Sequence, residues 1–228
     1  MTEASFYQAL RKENDTLWQR IFSHPFVEGL GKGSLSRDRY EFFLKQDYVY
    51  LIDFSRVFAL ASAKADTLAD MGYLSTLLQA TLNAEMDLHR KTCTSYGIST
   101  TELENTEPAM ITTAYTNLLI RTCYEGDFLD ILSVLLPCAV GYAEIGQRLE
   151  SRGLPEDPFY RDWIHTYSSE EYLGFVKWLK AKTDEQARGM PEDVRKKCHR
   201  LYRSSARYEY LFFEMSWNLE TWPGRIDT

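Results

Sequence analysis

Apolar residues along the 228-residue chain return every three or four positions, the period of helix faces, and nowhere alternate as they do in half-buried strands. Phe6, Leu10, Leu17, Trp18 and Ile21 predict a helix from Glu3 to about Phe22, closed by His24-Pro25-Phe26, and Gly29, Gly31 and Gly33 then read as a loop. Ser36 is placed to cap a long helix to about Lys64, whose inner face carries Tyr40, Phe43, Leu44, Asp47, Tyr50, Leu51, Phe54 and Phe58. Leu68 to Tyr96 reads as a third helix, Gly97 to Pro108 as a polar connection, and Met110 to about Tyr124 as a shorter helix bearing Tyr115. Past Gly126, the stripe Phe128, Ile131, Leu132, Leu135, Cys138, Ala139, Tyr142, Ile145 and Leu149 has the period of one buried helix face. Pro158 suits the first turn of a helix with Tyr160, Trp163, Ile164 and Tyr167, and Ser168 and Glu171 have capping-box spacing ahead of Phe175, Val176, Trp178 and Leu179. Pro191 opens the last helix, with Val194, Cys198, Leu201, Ser205, Tyr208, Phe212, Met215 and Leu219 facing inward. The pattern predicts an all-α fold of seven or eight helices in one domain spanning residues 1–228, since no shift in composition marks a boundary.

Three side chains depart from this apolar pattern. Cys138 lies mid-stripe beside Pro137, which has no amide proton and whose ring presses on the Ser133 carbonyl, so a kink is expected there. A thiol at a kink can open onto a cavity, although a cysteine on such a face more often packs as a small hydrophobe. Tyr142 follows one turn later on the same side. Asp47 sits on an otherwise apolar face, where a carboxylate is costly unless paired, and Glu209 borders the last stripe between Tyr208 and Tyr210. Either carboxylate could do chemistry or simply hold a neighbouring polar group. Glu85 and His89, four apart, are read as a buried hydrogen-bonded pair. A di-iron site would want Glu-x-x-His twice, whereas the spacing here is ExxxH, it occurs once and the chain has only four histidines, so no metal site is expected. His24, ahead of a proline, is read as a capping or core residue.

Composition narrows the function classes. The formal charge of −7 is spread without blocks, which disfavours a nucleic-acid surface. Fifteen tyrosines, five tryptophans and twelve phenylalanines supply flat walls for a cavity that holds a planar ring. Four cysteines without CxxC spacing and an N-terminus without a basic-then-apolar signal point to reduced thiols in the cytoplasm. The longest apolar run, about 131–145, is interrupted by Ser133, Pro137 and Glu144 and is shorter than the roughly 20 residues a bilayer needs, so no membrane role is expected.

Six ordered motifs carry a resemblance. His24-Pro25-Phe26-Val27, Gln46-Asp47-Tyr48-Val49-Tyr50-Leu51, Ala114-Tyr115-Thr116, Leu136-Pro137-Cys138 with Tyr142-Ala143-Glu144-Ile145, Trp163-Ile164-His165-Thr166-Tyr167, and Tyr208-Glu209-Tyr210-Leu211-Phe212 resemble the TenA family of aminopyrimidine hydrolases, also called thiaminase II. Glu85-Met86-Asp87-Leu88-His89 adds to the match. The resemblance implies a haem-oxygenase-like multi-helix bundle without haem, needing no metal or organic cofactor, and typically assembled as a homotetramer. It implies that Cys138 is the nucleophile and Glu209 the acid/base beside it. Asp47 and Tyr115 would bind the nitrogen edge of a pyrimidine, with Asp47 the charged one. Tyr50, Tyr142 and Tyr167 would line the pocket or orient the thiol. Because Cys138 is present, the chain resembles the cysteine-containing branch. One departure is Phe212-Phe213-Glu214-Met215-Ser216-Trp217, where the family often has FWxMAY.

The implied partner is a small pyrimidine or thiamin. The implied reaction releases ammonia from 4-amino-5-aminomethyl-2-methylpyrimidine, or thiazole from thiamin, to give hydroxymethylpyrimidine through a thiolate adduct. The alternative is a non-catalytic thiamin- or pyrimidine-binding regulatory protein using the same pocket.

Overall fold

Asn14 is both the last cap of one helix and the first of the next. Its side-chain amide donates to the Leu10 carbonyl at 2.8 Å, and the predicted first helix is therefore two, α1 (Phe6–Glu13) and α2 (Asp15–Phe22). The computed structural model describes residues 5–223, apart from the side chains of Ala84, Glu85 and Leu88, and the regular elements among them are all helical.

After α2 comes α3 (Pro25–Lys32), in the stretch read from its glycines as a loop. His24 caps it, with Nδ1 accepting the Phe26 amide at 3.1 Å, Pro25 fits the first turn, and Gly33 ends it at φ 69°. Helix propensity is overridden here by packing, because a Cβ on Gly31 would stand 2.6 Å from Leu149 Cδ2.

The chain continues through α4 (Arg37–Lys64), α5 (Leu68–Ala80), a π-helical turn (Thr81–Glu85) and α6 (Met86–Ser95), so the predicted third helix is interrupted by one wide turn. The polar connection holds α7 (Thr100–Glu104), capped by Ser99 Oγ. Then follow α8 (Met110–Glu125), α9 (Phe128–Glu150), α10 (Pro158–Ser168), α11 (Glu170–Gln186) and α12 (Glu192–Asn218). Asp157 caps α10. The cap of α11 is Ser169, not Ser168, and its Oγ accepts the Tyr172 amide. The twelve α-helices exceed the predicted seven or eight because long stripes are interrupted and two short helices occupy predicted loops.

α9 runs through Pro137 without a break in the assignment. At 23 residues it is long and apolar enough to cross a membrane, longer than the run judged from sequence, but its apolar window is buried inside the protein as a core helix's would be.

The chain divides into two compact units, one formed by the chain up to Leu35 with Leu129–Phe213, the other by Ser36–Phe128 with the chain from Glu214. In the first, Trp18 is buried and its indole donates to the Tyr202 hydroxyl at 3.1 Å, joining α2 to α12. Its ring lies on α9 at Gly141, where a Cβ would stand 2.5 Å from Trp18 Cη2. One turn and a half further, the end of α10 lies on Gly146, whose Cβ would stand 2.9 Å from the Tyr167 carbonyl carbon and 3.0 Å from the Ser168 nitrogen.

In the second unit, α4 is the central helix and Gln46 ties it to the start of α8. Its amide nitrogen donates to the Glu107 carbonyl, and its Oε1 accepts from the Ala109 amide at 2.8 Å and the Thr112 hydroxyl at 2.7 Å. Ala109 has no side chain that could cap α8, so the buried Gln46 supplies the cap from another helix.

Gly146→Ala must displace backbone and is expected to lower stability by about 1–3 kcal/mol. Gly72→Ala in α5, where a Cβ meets nothing within 4 Å, is expected to raise it by about 0.5–1 kcal/mol. Urea denaturation of the two variants beside the parent measures both.

Candidate active site

Four thiols are available, and solvent distinguishes one of them. Cys93, Cys123 and Cys198 are 0% exposed, and burial pushes the Cys93 and Cys123 thiols up to about 12. Cys138 is only partly buried, although it lies in a long apolar helix. A reactive thiol must meet its substrate, and of the four Cys138 alone has the exposure for it.

Glu209 reaches the same part of the first unit through the register of two helices. Ser205 Oγ on α12 donates to the Val134 carbonyl on α9 at 2.7 Å, and Lys197 Nζ meets Asp130 at 2.6 Å. Both contacts climb in the same direction, so the two helices run in the same sense here. Cys138 is one turn beyond Val134, and Glu209 is one turn beyond Ser205. Glu209 is 3% exposed, a carboxylate held almost out of water on the level of the thiol.

Aromatic rings complete this half. Tyr142 meets Tyr167 edge-on at 4.7 Å between centroids, Trp163 at 5.5 Å and Phe213 at 6.0 Å, while Trp163 and Tyr167 lie 4.6 Å apart. The contact between Tyr142 and Tyr167 depends on Gly146, because only a residue without Cβ lets the backbone at Tyr167 come so close to α9. Trp163 was legible from sequence only as an apolar stripe residue, and its place in this wall comes from α10 crossing α9.

The second unit holds the other predicted residues. Tyr50 and Tyr115 lie 5.3 Å apart, with Phe54 stacked on Tyr50 at 5.5 Å. Gln46, four residues before Tyr50, fixes the start of α8 and through it the height of Tyr115. The local pattern of α4 does not mark Gln46 as a cap for another helix, since the backbone it serves lies about sixty residues further along the chain.

Asp47 is 5% exposed. Its Oδ2 lies 3.7 Å from His89 Nε2, and that nitrogen donates to the Leu44 carbonyl at 2.8 Å. The expected Glu85 to His89 hydrogen bond falls on a side chain outside the described residues. Burial pushes the Asp47 carboxyl from 3.8 up to about 7, so near neutral pH it is divided between its acid and its anion, where a plain charged group was expected. Among the described residues, no group of three or more His, Cys, Asp or Glu side chains is arranged to hold a metal ion.

The comparisons with known proteins bear on this arrangement. The family model described as TENA/THI-4/PQQC matches residues 11–219. The chain belongs to that family. An aminopyrimidine aminohydrolase of Halalkalibacterium halodurans is 41% identical over 219 residues, covering 96% of this chain and 98% of that protein. A TenA homologue from P. horikoshii OT3 superposes with a TM-score of 0.87 at 28% identity, over 94% of this chain and 99% of its own. A domain of unknown function with a heme oxygenase-like fold from Shewanella denitrificans gives a TM-score of 0.72 at 14% identity, covering 93% of this chain and 92% of its own, and bears on the fold alone. This TenA family member is thus all-α with a haem-oxygenase-like fold.

Burial of Asp47 has a consequence for stability. The folded chain binds its proton more tightly than the unfolded chain does, so stability is greatest below the ordinary carboxylate pKa and falls as the pH rises toward about 7. Between pH 5 and 7 this loss is about 3 kcal/mol, at about 1.4 kcal/mol per pH unit. Asp47→Asn removes the titration, so its stability relative to the parent should rise by about that amount from pH 5 to pH 8 in chemical denaturation. A constant difference across that range would show that the carboxyl does not titrate there.

Proposed function

We propose that this chain hydrolyses aminopyrimidines in thiamin salvage by way of a covalent adduct on Cys138. The activity named for the H. halodurans relative, which matches nearly the whole chain, supports the reaction class. The partial exposure of Cys138, in a stretch of α9 otherwise buried from Phe128 to Ala143, is the observation that carries the assignment of the nucleophile.

A pyrimidine ring is electron-poor, and a proton on a ring nitrogen opens the neighbouring carbon to a soft thiolate. Glu209 takes the thiol proton. The new carbon–sulfur bond pushes electrons through the ring and out along the exocyclic methylene, and the bond to the leaving group breaks with its electron pair going to the amine or thiazole nitrogen. Glu209 passes the thiol proton to the departing amine, or to solvent when thiazole leaves, and the freed carboxylate then takes a proton from water as the water oxygen forms a carbon–oxygen bond at the methylene. The carbon–sulfur pair returns to sulfur, and hydroxymethylpyrimidine leaves.

Asp47, as its anion, and Tyr115 hold the nitrogen edge of the ring. Tyr142 and Tyr167 form the aromatic wall beside the thiol, and Tyr50 stacks in the second set. We further assign the chain to the cytoplasm, acting on a small pyrimidine or thiamin as a homotetramer, without nucleic-acid or membrane partners.

Cys138→Ser should lower ammonia release from 4-amino-5-aminomethyl-2-methylpyrimidine by at least about a thousandfold while the protein stays folded. Wild-type turnover by that variant would end the proposal, and tight binding by the parent without ammonia release would favour a binding protein. Asp47→Asn should raise KM strongly. In the parent, kcat/KM should rise with pH through about 7 as Asp47 loses its proton, a limb that the variant lacks.

A further inference from the structure

Trp163 has a feature that neither the fold nor the reaction above uses. Its side chain is 8% exposed, its indole Nε1 is shielded from solvent, and that nitrogen has no hydrogen-bond acceptor among the described residues. Trp18, by contrast, gives its indole proton to Tyr202. An indole N–H can only donate, and leaving it unmet in a protein interior is destabilising. The ring is fixed between Tyr142 and Tyr167, in the aromatic wall that begins one turn from Cys138.

The acceptor therefore lies outside the described residues, and an internal water or an atom of a bound molecule can supply it. The reading of function above, on which this step rests, narrows the choice. The ring nitrogens are assigned to Asp47 and Tyr115, and a protonated leaving amine donates and cannot accept. What remains is the oxygen that enters as water and leaves as the hydroxyl of the product.

We infer that the Trp163 indole N–H holds the attacking water at the methylene end of the substrate and so makes the enzyme a hydrolase, not a transferase to other nucleophiles. In the step concerned, the water oxygen forms the carbon–oxygen bond while its proton passes to Glu209, and the indole proton stays on nitrogen. A competing thiol such as 2-mercaptoethanol would form a carbon–sulfur bond at the same methylene and give its proton to the same carboxylate, but it is poorly placed while water is held.

The test measures partition and turnover together. With 2-mercaptoethanol present, Trp163→Phe should raise the ratio of thioether product to hydroxymethylpyrimidine at least about fivefold and lower hydrolytic kcat about tenfold with little change in KM. Trp163→His, which keeps a ring N–H, should bring the ratio back toward that of the parent. A ratio equal to the parent's in a folded Trp163→Phe overturns the inference while leaving the hydrolase reading intact. Failure of the parent to release ammonia would end both.

Should the variants not fold, the parent protein decides. Of its five indole 15N–1H resonances, one should move downfield with 4-amino-5-hydroxymethyl-2-methylpyrimidine and stay in place with 4-amino-2,5-dimethylpyrimidine, which lacks the oxygen. Equal shifts with the two ligands, or none with either, mean that the acceptor is a fixed internal water and overturn the inference.

Discussion

The missing side chain at Gly146 is the constraint on which the packing of α9, α10 and the aromatic wall in the first unit depends. Its hydrogen leaves room for the backbone of Tyr167 and Ser168 to lie on α9 where any Cβ would collide with it. Close approach of α10 then presses Tyr167 and Trp163 onto Tyr142. Gly141 does the same on another face for Trp18, whose indole reaches on to α12 at Tyr202. α9 thus lets larger groups approach its backbone at two places, and Cys138 lies just before the first of them and one turn before Tyr142. Glycine weakens a helix by roughly 1 kcal/mol relative to alanine, which burial of one large aromatic side chain offsets.

How far the site could be read from the chain follows from which of its features are local. Cys138 stood out because a thiol in a long apolar stripe beside a proline is a local anomaly, and Asp47 because a carboxylate among Tyr, Phe and Leu is another. Helix periodicity likewise gave the all-α class and most boundaries. What escaped was what depends on neighbours far along the chain. α3 forms in a glycine-rich stretch, and the close contact of Gly31 with the tip of Leu149 is made to a residue at the far end of another helix. Gln46 caps α8 from α4, and its role is invisible until Ala109 is seen to need a cap. The partial exposure of Cys138 against three sealed thiols is likewise a tertiary property, which spacing could raise as a question but not answer.

The same locality explains why Asp47 was half understood. Its position on an apolar face predicted both importance and cost, and the structure supplies the size of the cost as a carboxyl pushed up to about 7. His89 approaches to 3.7 Å but spends its Nε2 proton on the Leu44 carbonyl, so the carboxylate gains no short hydrogen bond from it. A hydrogen bond at ordinary distance would hold the anion and lower its pKa, and the protein would gain stability. A carboxyl left with its desolvation largely uncompensated is instead responsive to a donor or a cation that arrives later, because a late partner recovers interaction that the folded chain has not already used.

Trp163 follows the same logic with the opposite sign of charge. Asp47 is an acceptor short of donors, and the Trp163 indole is a donor with no acceptor among the described residues. Neither is tolerable in a core whose only task is to stay folded, where apolar groups of the same shape would be steadier. Other buried polar groups have partners within the protein, among them Gln46 on the start of α8, Ser205 on Val134 and Tyr160 on Leu35. That contrast separates groups that hold helices together from the two whose burial is left largely uncompensated. The stability given up at the latter is supplied by close packing around α9, where two glycines let a tryptophan and a whole helix end lie against one backbone.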